Sequence, residues 1–114
     1  MLRLDDRDDA PLYLQIAGAV RGAIANGELA PGERLPPARA LAASLGVNMH
    51  TVLRGYAELE REELVTLRRG RGVTVSDTSP SRAHLFELVR ELAREARRLG
   101  VATEDVVALL REHR

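Results

Sequence analysis

Two clusters of polar side chains have the residue types that nucleic-acid recognition needs. The first lies just after a glycine: Asn48, His50 and Thr51 stand within four residues, with Met49 among them and Arg54 about one helical turn further on. Asparagine can bond an adenine edge in two places, threonine can bond a base or a phosphate, and an imidazole can donate to an acceptor. In the first turns of a helix, these residues would face base edges in the major groove of DNA.

The second cluster is the run Arg68, Arg69, Gly70, Arg71, Gly72. Arginine favours the phosphate backbone and a narrow minor groove, and glycine allows the chain to approach either closely. Three arginines within four residues have no role in a hydrophobic core, so the run predicts nucleic-acid contact. A solvated charge run is the alternative interpretation.

Two further arginines, Arg34 and Arg39, flank the start of a predicted short helix, where they can clamp a phosphate. Several site residues also have simpler interpretations: Asn48 as a helix cap alone, His50 as an exposed histidine, and both arginines as ordinary surface residues. Tyr56 lies on the apolar side of its predicted helix, and we assign it to the core and not to base stacking.

Apolar residues at steps of three and four predict the helices that hold these clusters. The first helix runs from Pro11 to Ile24, with Pro11 in its first turn and Asp9 or Ala10 at the cap position. The pair Asn26-Gly27 predicts its left-handed end.

A helix-turn-helix is predicted next. The second helix begins after Pro36-Pro37 and ends at Gly46, and only Val47 separates this glycine from Asn48, a suitable N-cap for the third helix. The core face of the third helix comprises Val52, Tyr56, Leu59 and Leu64.

Beyond the third helix the apolar period changes from 3.6 to 2, which predicts a β-hairpin. Valine and leucine alternate with threonine on both sides of the arginine run, and the five residues 68–72 form the predicted tip. The order of helix, helix, turn, helix and two-stranded wing predicts a mainly α winged helix-turn-helix with a small β-hairpin. A predicted loop over residues 77–81 marks the boundary to a helical tail.

The tail carries an apolar seam with heptad spacing, formed by Leu85, Val89, Leu92, Ala96 and Leu99. Phe86 stands beside this seam. After Gly100, Thr103 is the predicted cap of a last helix with Val106 and Leu110 on its apolar stripe. A segment of about 35 residues is too small for a core of its own. The tail must therefore pack on its own chain or on a second tail, and the heptad spacing favours a two-helix dimerisation tail.

Composition excludes several function classes. The 114 residues contain no cysteine and no lysine, which excludes a disulfide framework, a thiol nucleophile and a phosphate loop with lysine. No apolar run is long enough to span a membrane, and the acidic start is unlike a secretory signal. His84, Glu87 and Glu91 share a helix face, but a solvated face is favoured over a metal site, so neither an enzyme nor a cofactor is predicted.

Net charge is zero, yet the charge is unevenly distributed along the chain. Residues 1–33 hold three arginines and six acids, residues 34–75 hold seven arginines and four acids, and residues 76–114 hold seven of each. The predicted DNA-binding segment is therefore positive while its neighbours are negative or neutral. Neutrality of the whole chain does not count against DNA binding.

Several ordered motifs resemble the GntR-type winged helix of bacterial transcription regulators. They are residues 27–36 (GELAPGERLP), 39–42 (RALA), 47–52 (VNMHTV), 64–65 (LV) and the wing glycines 70 and 72. The segment PLYLQI at 11–16 and the short helical tail are similar to the YtrA-like subfamily. The resemblance is close over residues 9–77 and rests on length and pattern in the tail.

The resemblance implies a homodimeric regulator, usually a repressor, that binds double-stranded operator DNA of pseudo-palindromic sequence in the cytoplasm. The implied DNA contacts are Arg34, Arg39, Asn48, Thr51 and the wing around Gly72. Larger relatives hold an effector pocket behind the DNA-binding domain. This tail is too small to enclose such a pocket within one chain, so a small-molecule effector stays an open alternative.

Three departures from the family pattern are visible. Pro37 stands where relatives usually have a serine, whose hydroxyl can bond phosphate. Met49 and His50 depart from the Asn-Pro-Asn sequence that is common at the start of the recognition helix in this subfamily. Glu63 stands where a glycine commonly ends the third helix. We expect a different operator preference and a different exit from the third helix. The resulting division is a polar entry at 1–8, a DNA-binding domain at 9–77 and a dimerisation tail at 78–114.

A competing hypothesis is a winged helix that binds another protein without reading DNA. It draws on the acidic cluster near the end of the third helix, which comprises Glu58, Glu60, Glu62 and Glu63.

Overall fold

A computed structural model describes residues 10–68, 70, 72–77 and 79–114. These residues form five helices and one two-stranded antiparallel hairpin. The elements are α1 (Leu12–Ala25), α2 (Ala38–Leu45), α3 (Met49–Arg61), β1 (Val65–Arg68), β2 (Gly72–Val75), α4 (Ser79–Leu99) and α5 (Thr103–Glu112). The winged helix-turn-helix that the sequence predicts is confirmed. The predicted polar entry at 1–8 lies outside the described residues, and no described helix is long and apolar enough to cross a membrane.

Helix α1 begins one residue later than the sequence predicts. Pro11 occupies the N-cap position with ψ 147°, and Leu12 is the first helical residue. Proline has no side-chain oxygen to accept from the N–H groups of the first turn, so the helix begins without a side-chain cap. The predicted end is confirmed, because Asn26 is the C-cap and Gly27 follows with φ 85°.

The turn between α2 and α3 has the predicted form. Gly46 ends α2 with φ 70°, a left-handed conformation that glycine adopts without strain. The side-chain oxygen of Asn48 accepts a hydrogen bond from the backbone N–H of His50 at 2.7 Å. Asn48 is therefore the N-cap of α3, as expected.

The strands of the hairpin extend further toward its tip than the sequence predicts. Arg68 pairs with Gly72, so the strands include both and only residues 69–71 lie between them. Residues 32–35 also join the outer edge of β2, an association that the sequence pattern does not predict. The N–H of Leu35 donates to the carbonyl of Val73 at 2.8 Å, and the N–H of Val75 donates to that of Glu33 at 2.9 Å.

One hydrophobic core unites α1, α2, α3, the hairpin and the start of α4. Its fully buried side chains include Ile16, Val20, Val52, Leu59 and Leu64. Tyr56 is 5% exposed and its hydroxyl donates to the carbonyl of Pro36 at 2.7 Å, which confirms its place in the core. Burial raises the pKa of Tyr56 to about 12.

The exit from α3 contradicts one expectation. Glu63 has φ 63°, the left-handed conformation that a glycine would take, so its presence does not force a different path. Such a conformation costs a non-glycine residue about 1–2 kcal/mol. Two interactions accompany it: Glu63 forms an ion pair with Arg82 at 2.9 Å, and its carbonyl accepts from the Ser76 hydroxyl at 2.7 Å.

The first half of α4 belongs to the winged-helix core. The helix begins at Ser79, inside the predicted 77–81 loop, and both Ser79 and Ala83 are buried. Phe86 packs against this core and Arg21 lies 5.6 Å from the centre of its ring. The placement of Phe86 beside the dimer seam is therefore corrected, because its ring faces α1 of its own chain.

The second half of α4 and all of α5 form a helical hairpin with an open apolar side. Ala102 is the N-cap of α5 and Thr103 its first residue, so Thr103 is not the predicted cap. The two helices enclose a groove of about 450 Å³, lined by Leu85, Val89, Leu92, Ala96, Val106 and Leu110 among others. Leu85 and Leu110 are each 59% exposed.

Candidate nucleic-acid interface

The beginning of α3 presents polar side chains to solvent. Asn48 and His50 are exposed and Thr51 is half-buried. The Asn48 oxygen already accepts the capping hydrogen bond, but an amide oxygen has two lone pairs. The cap and a contact with an adenine edge are therefore compatible, as expected.

Met49 is less accessible than its neighbour His50. Its side chain is half-buried and packs against the hydrophobic core, although it stands in the first turn of α3. The contact of Met49 with a base therefore stays a prediction, and the structure gives this residue a role in packing. His50 and Thr51 keep their places beside it.

Arg54 makes a contact that the sequence pattern does not predict. Its guanidinium carbon lies 3.9 Å from the centre of the Tyr13 ring, near the start of α1. The two helices border a groove of about 420 Å³, lined by Pro11, Leu12, Tyr13, Asn48, His50, Thr51 and Arg54. Tyr13 is thus part of the candidate site. No local signal could have shown this, since the contact joins residues far apart in the sequence.

The wing brings Arg34 close to Arg68. The backbone of Arg34 bridges Thr74 of β2, and its Cδ lies 4.0 Å from the position that a Cβ on Gly72 would occupy. Both arginines line an exposed polar groove of about 490 Å³ together with Thr66, Thr74, Ser76 and Asp77. Gly70 is exposed with φ 79°, while Arg69 and Arg71 lie outside the described residues.

Arg39 is exposed in the first turn of α2. Pro37 is the N-cap of this helix and makes no side-chain capping hydrogen bond. The first-turn N–H groups of α2 are therefore not satisfied by a capping side chain, and a helix N-terminus with free N–H groups favours an anion such as phosphate.

The acidic cluster is largely neutralised within the chain. Glu62 accepts two-pronged hydrogen bonds from Arg21 at 2.9 Å, Glu63 pairs with Arg82, and Glu58 pairs with Arg61. These acids stabilise the end of α3, so the cluster gives little support to the hypothesis of a protein-interaction module. Among the residues that the structure describes, no group of three or more His, Asp or Glu side chains is arranged to hold a metal ion.

The family profile described as "Bacterial regulatory proteins, gntR family" matches residues 12–75, which span α1 through β2. The chain belongs to the GntR family. It is therefore a DNA-binding transcriptional regulator with a winged helix, and the matched segment contains every described residue of the two polar clusters.

Similar proteins extend the likeness into the tail. The HTH-type transcriptional regulator Rv1152 of Mycobacterium tuberculosis is 37% identical over 96% of this chain and 90% of its own length. The HTH-type transcriptional repressor YtrA of Bacillus subtilis is 30% identical over 98% and 91%. A GntR family transcriptional regulator from Listeria monocytogenes superposes with a TM-score of 0.68 at 29% identity, covering 96% of this chain and 98% of that one. The chain is accordingly a YtrA-like member of the family.

Proposed function

We propose that this GntR-family regulator acts as a homodimeric repressor. Two copies join through α4 and α5, and each places one α3 in the major groove of one half of a pseudo-palindromic operator. In this proposal residues 9–77 bind DNA and residues 78–114 hold the dimer together. The observation that carries it is the apolar face of the tail, which lies open to solvent in a single chain.

A soluble monomer rarely exposes a continuous apolar surface of this kind. The face combines Leu85, Val89, Leu92 and Leu99 of α4 with Val106 and Leu110 of α5, and the half-buried Ala96 also lines the groove between the helices. A two-fold interface is self-complementary, so the same face on a second copy is a suitable partner. The heptad spacing along α4 supports this choice of occupant.

The DNA contacts divide into two classes. Asn48, His50 and Thr51 stand at the start of α3, where a recognition helix meets base edges, and Arg54 joins them from the next turn. Arg34, Arg39 and the wing residues 68–72 supply charge and backbone N–H groups for phosphates, which position the domain without reading sequence. Repression is proposed because the similar YtrA of Bacillus subtilis is named a repressor.

The dimer is tested by light scattering after gel filtration, over a range of protein concentrations. Leu92→Glu places a charge in the centre of the apolar face and should give a folded monomer. Glu91→Lys is the matched control, because it reverses an exposed charge beside Leu92 but outside the groove lining, and it should remain a dimer. A wild-type chain that stays monomeric at every concentration would overturn the dimer.

The operator is tested by selecting bound duplexes from a random pool. Two α3 helices related by a two-fold axis should recover an inverted repeat, with half-site centres about 34 Å or a multiple of it apart. Affinity for the recovered duplex should fall on the order of 10³- to 10⁵-fold between 50 and 200 mM salt if many phosphates are contacted. Recovery of unpaired half-sites, or a flat salt dependence, would contradict the proposal.

A further inference from the structure

We propose that Tyr13 is a positioning residue of the DNA interface, which holds the guanidinium of Arg54 ready for a pair of hydrogen-bond acceptors on DNA. The inference rests on the proposed placement of α3 against DNA and deepens it. The carrying observation is the stacked pair, with the Arg54 guanidinium carbon 3.9 Å from the centre of the Tyr13 ring. A guanidinium at this distance from a ring is attracted to its face.

The packing of α1 against α3 brings the two residues together. Gly55, next to Arg54, is buried, and a Cβ at this position would lie 3.0 Å from the backbone carbonyl oxygen of Tyr13 and 3.1 Å from the Ile16 side chain. Only a glycine permits this close approach without a shift of one helix. The start of α1 therefore lies close enough to α3 for the Tyr13 ring to reach Arg54.

The direction of the Arg54 side chain places its charge at the proposed DNA surface. Side chains on a helix lean toward its N-terminus, so Arg54 extends over the preceding turn, which holds His50 and Thr51. These residues, Arg54 and Tyr13 line the same open groove. The start of α1 is thereby included in a surface that the sequence assigns to α3 alone.

Stacking leaves the hydrogen-bonding capacity of the guanidinium intact. A contact with the face of a ring uses none of the five N–H donors in a hydrogen bond, so the planar fork stays available for paired acceptors. Within the part of the chain that the structure describes, Arg54 has no carboxylate partner, whereas Arg21, Arg61, Arg82 and Arg98 are ion-paired. A cation that is held by a ring and left without an anion is preorganised for an external one.

Two acceptors on DNA share the required chemistry, a guanine edge with O6 and N7 and a phosphate with two oxygens. The proposal covers this paired-acceptor chemistry, and the test separates the two sources. A guanine contact would make one position of the selected sequence depend on Arg54. A phosphate contact would lower affinity for all sequences alike and reduce the salt slope by about 1.

The test is a double-mutant cycle on the duplex recovered by wild-type selection. Arg54→Ala should lose about tenfold or more in affinity, as expected for a paired contact. Tyr13→Leu keeps an apolar side chain but removes the ring, and it should lose about two- to fivefold. The double variant should bind no more weakly than Arg54→Ala, because Tyr13 acts through Arg54.

Tyr13→Phe distinguishes the ring from the hydroxyl. It should bind within about twofold of the wild type, since the stacked face is retained. Thermal unfolding of each variant, with affinities measured well below its midpoint, separates a binding effect from loss of fold. The selection is repeated with Tyr13→Leu and Arg54→Ala, which should change the recovered sequence or the salt slope in the same way.

Three results would overturn the inference. Tyr13→Leu could bind as tightly as the wild type, the two single losses could add in the double variant, or Tyr13→Phe could lose as much as Tyr13→Leu, which would indicate a direct hydroxyl contact. These results are distinct from failure of the proposed function. A wild-type chain that recovers no common sequence from the pool would overturn the proposed DNA contacts of α3 and the inference with them.

Discussion

Leucine side chains are buried in the winged helix but exposed in the outer part of the tail. Leu59 and Leu64 of the winged helix are fully buried, whereas Leu85, Leu99 and Leu110 of the tail are about three-fifths exposed. Apolar burial stabilises by roughly 25 cal/mol per Å² removed from water. The winged helix obtains this stabilisation within one chain, while most of the tail's apolar surface can obtain it only from a partner.

The boundary between the two regions lies inside α4 and not before it. Ser79, Ala83 and Phe86 pack with the winged helix, and from Leu88 onward the apolar side chains of the helix face away from it or lie open. A single helix thus extends from the DNA-binding core to the proposed dimer contact. The spacing of two recognition helices would follow from the rigidity of α4, because this helix is continuous from Ser79 to Leu99.

The largest expected effect comes from making the same substitution in both regions. Leu59→Ala leaves a cavity in the core and should lower the free energy of unfolding by about 2–5 kcal/mol. Leu99→Ala should change it by less than about 0.5 kcal/mol in dilute solution, because Leu99 is 60% exposed. Urea unfolding at several protein concentrations measures both. The Leu99→Ala cost should grow with concentration if the tail dimerises, and equal costs at all concentrations would break the contrast between the regions.

A second contrast separates buried from exposed ion pairs. Arg21 joins the middle of α1 to Glu62 at the end of α3 and also lies over Phe86, so it links the winged helix to α4. The paired side chains are only 9% and 12% exposed. Glu62→Gln should therefore cost roughly 2 kcal/mol of unfolding free energy, since a buried charge loses its partner.

The matched control is Glu58→Gln, which removes the pair with Arg61 one turn earlier. The Arg61 side chain is 73% exposed, so this change should cost at most about 0.5 kcal/mol. Both variants lose one negative charge at nearly the same place. Chemical denaturation measures the free energy of unfolding of both variants. Equal losses would mean that the contribution of the Arg21 ion pair to stability does not depend on its burial.

How far the sequence predicts this structure depends on the range of each signal. The Asn48 cap, the Gly46 turn and the hairpin alternation are local, and all three were predicted correctly. The contact of Tyr13 with Arg54 and the addition of residues 32–35 to β2 join segments far apart in the chain. Such contacts follow from the packing of whole elements, which a pattern of neighbours does not encode.

The directions of single side chains were the least predictable part of the site. Met49 and His50 are adjacent in the first turn of α3, yet one packs against the core and the other is exposed. Phe86 and Leu85 are likewise adjacent on α4, yet Phe86 packs against the core and Leu85 lines the open groove of the tail. A helix turns by 100° per residue, so an assignment that is uncertain by one position reverses the conclusion. The packing of Met49 and Phe86 against the core is therefore known only from the structure. The proposed DNA contacts of Asn48 and Thr51 rest on the sequence.

Alkaline pH should lower the stability of the winged helix through Tyr56, which is the one titratable side chain among the core residues named above. Burial raises the pKa of this residue from 10 to about 12, so the folded state disfavours the phenolate. The contribution to stability is complete below pH 10 and is lost as pH rises toward 12, which amounts to about 1 kcal/mol at pH 11. Tyr56→Phe should cost about 1 kcal/mol at neutral pH, because the Pro36 carbonyl loses its donor, and should flatten this part of the alkaline loss. An unchanged alkaline profile would assign the loss to other groups.

The smallest effect is expected at Glu63, beside the start of α4. Glu63→Gly removes the cost of the left-handed backbone, which is about 1–2 kcal/mol. Two effects oppose this gain. The unfolded chain becomes more flexible, which lowers stability by about 0.4–1 kcal/mol, and the exposed ion pair with Arg82 is lost. The net gain should be about 0.5 kcal/mol. Glu63→Gln is the control, because it removes the ion pair and keeps the strained backbone, and it should be neutral or slightly destabilising. If thermal unfolding places the glycine variant below the glutamine variant, which also lacks the ion pair, the added freedom of the unfolded chain outweighs the strain, and the left-handed backbone at Glu63 costs less than its geometry indicates.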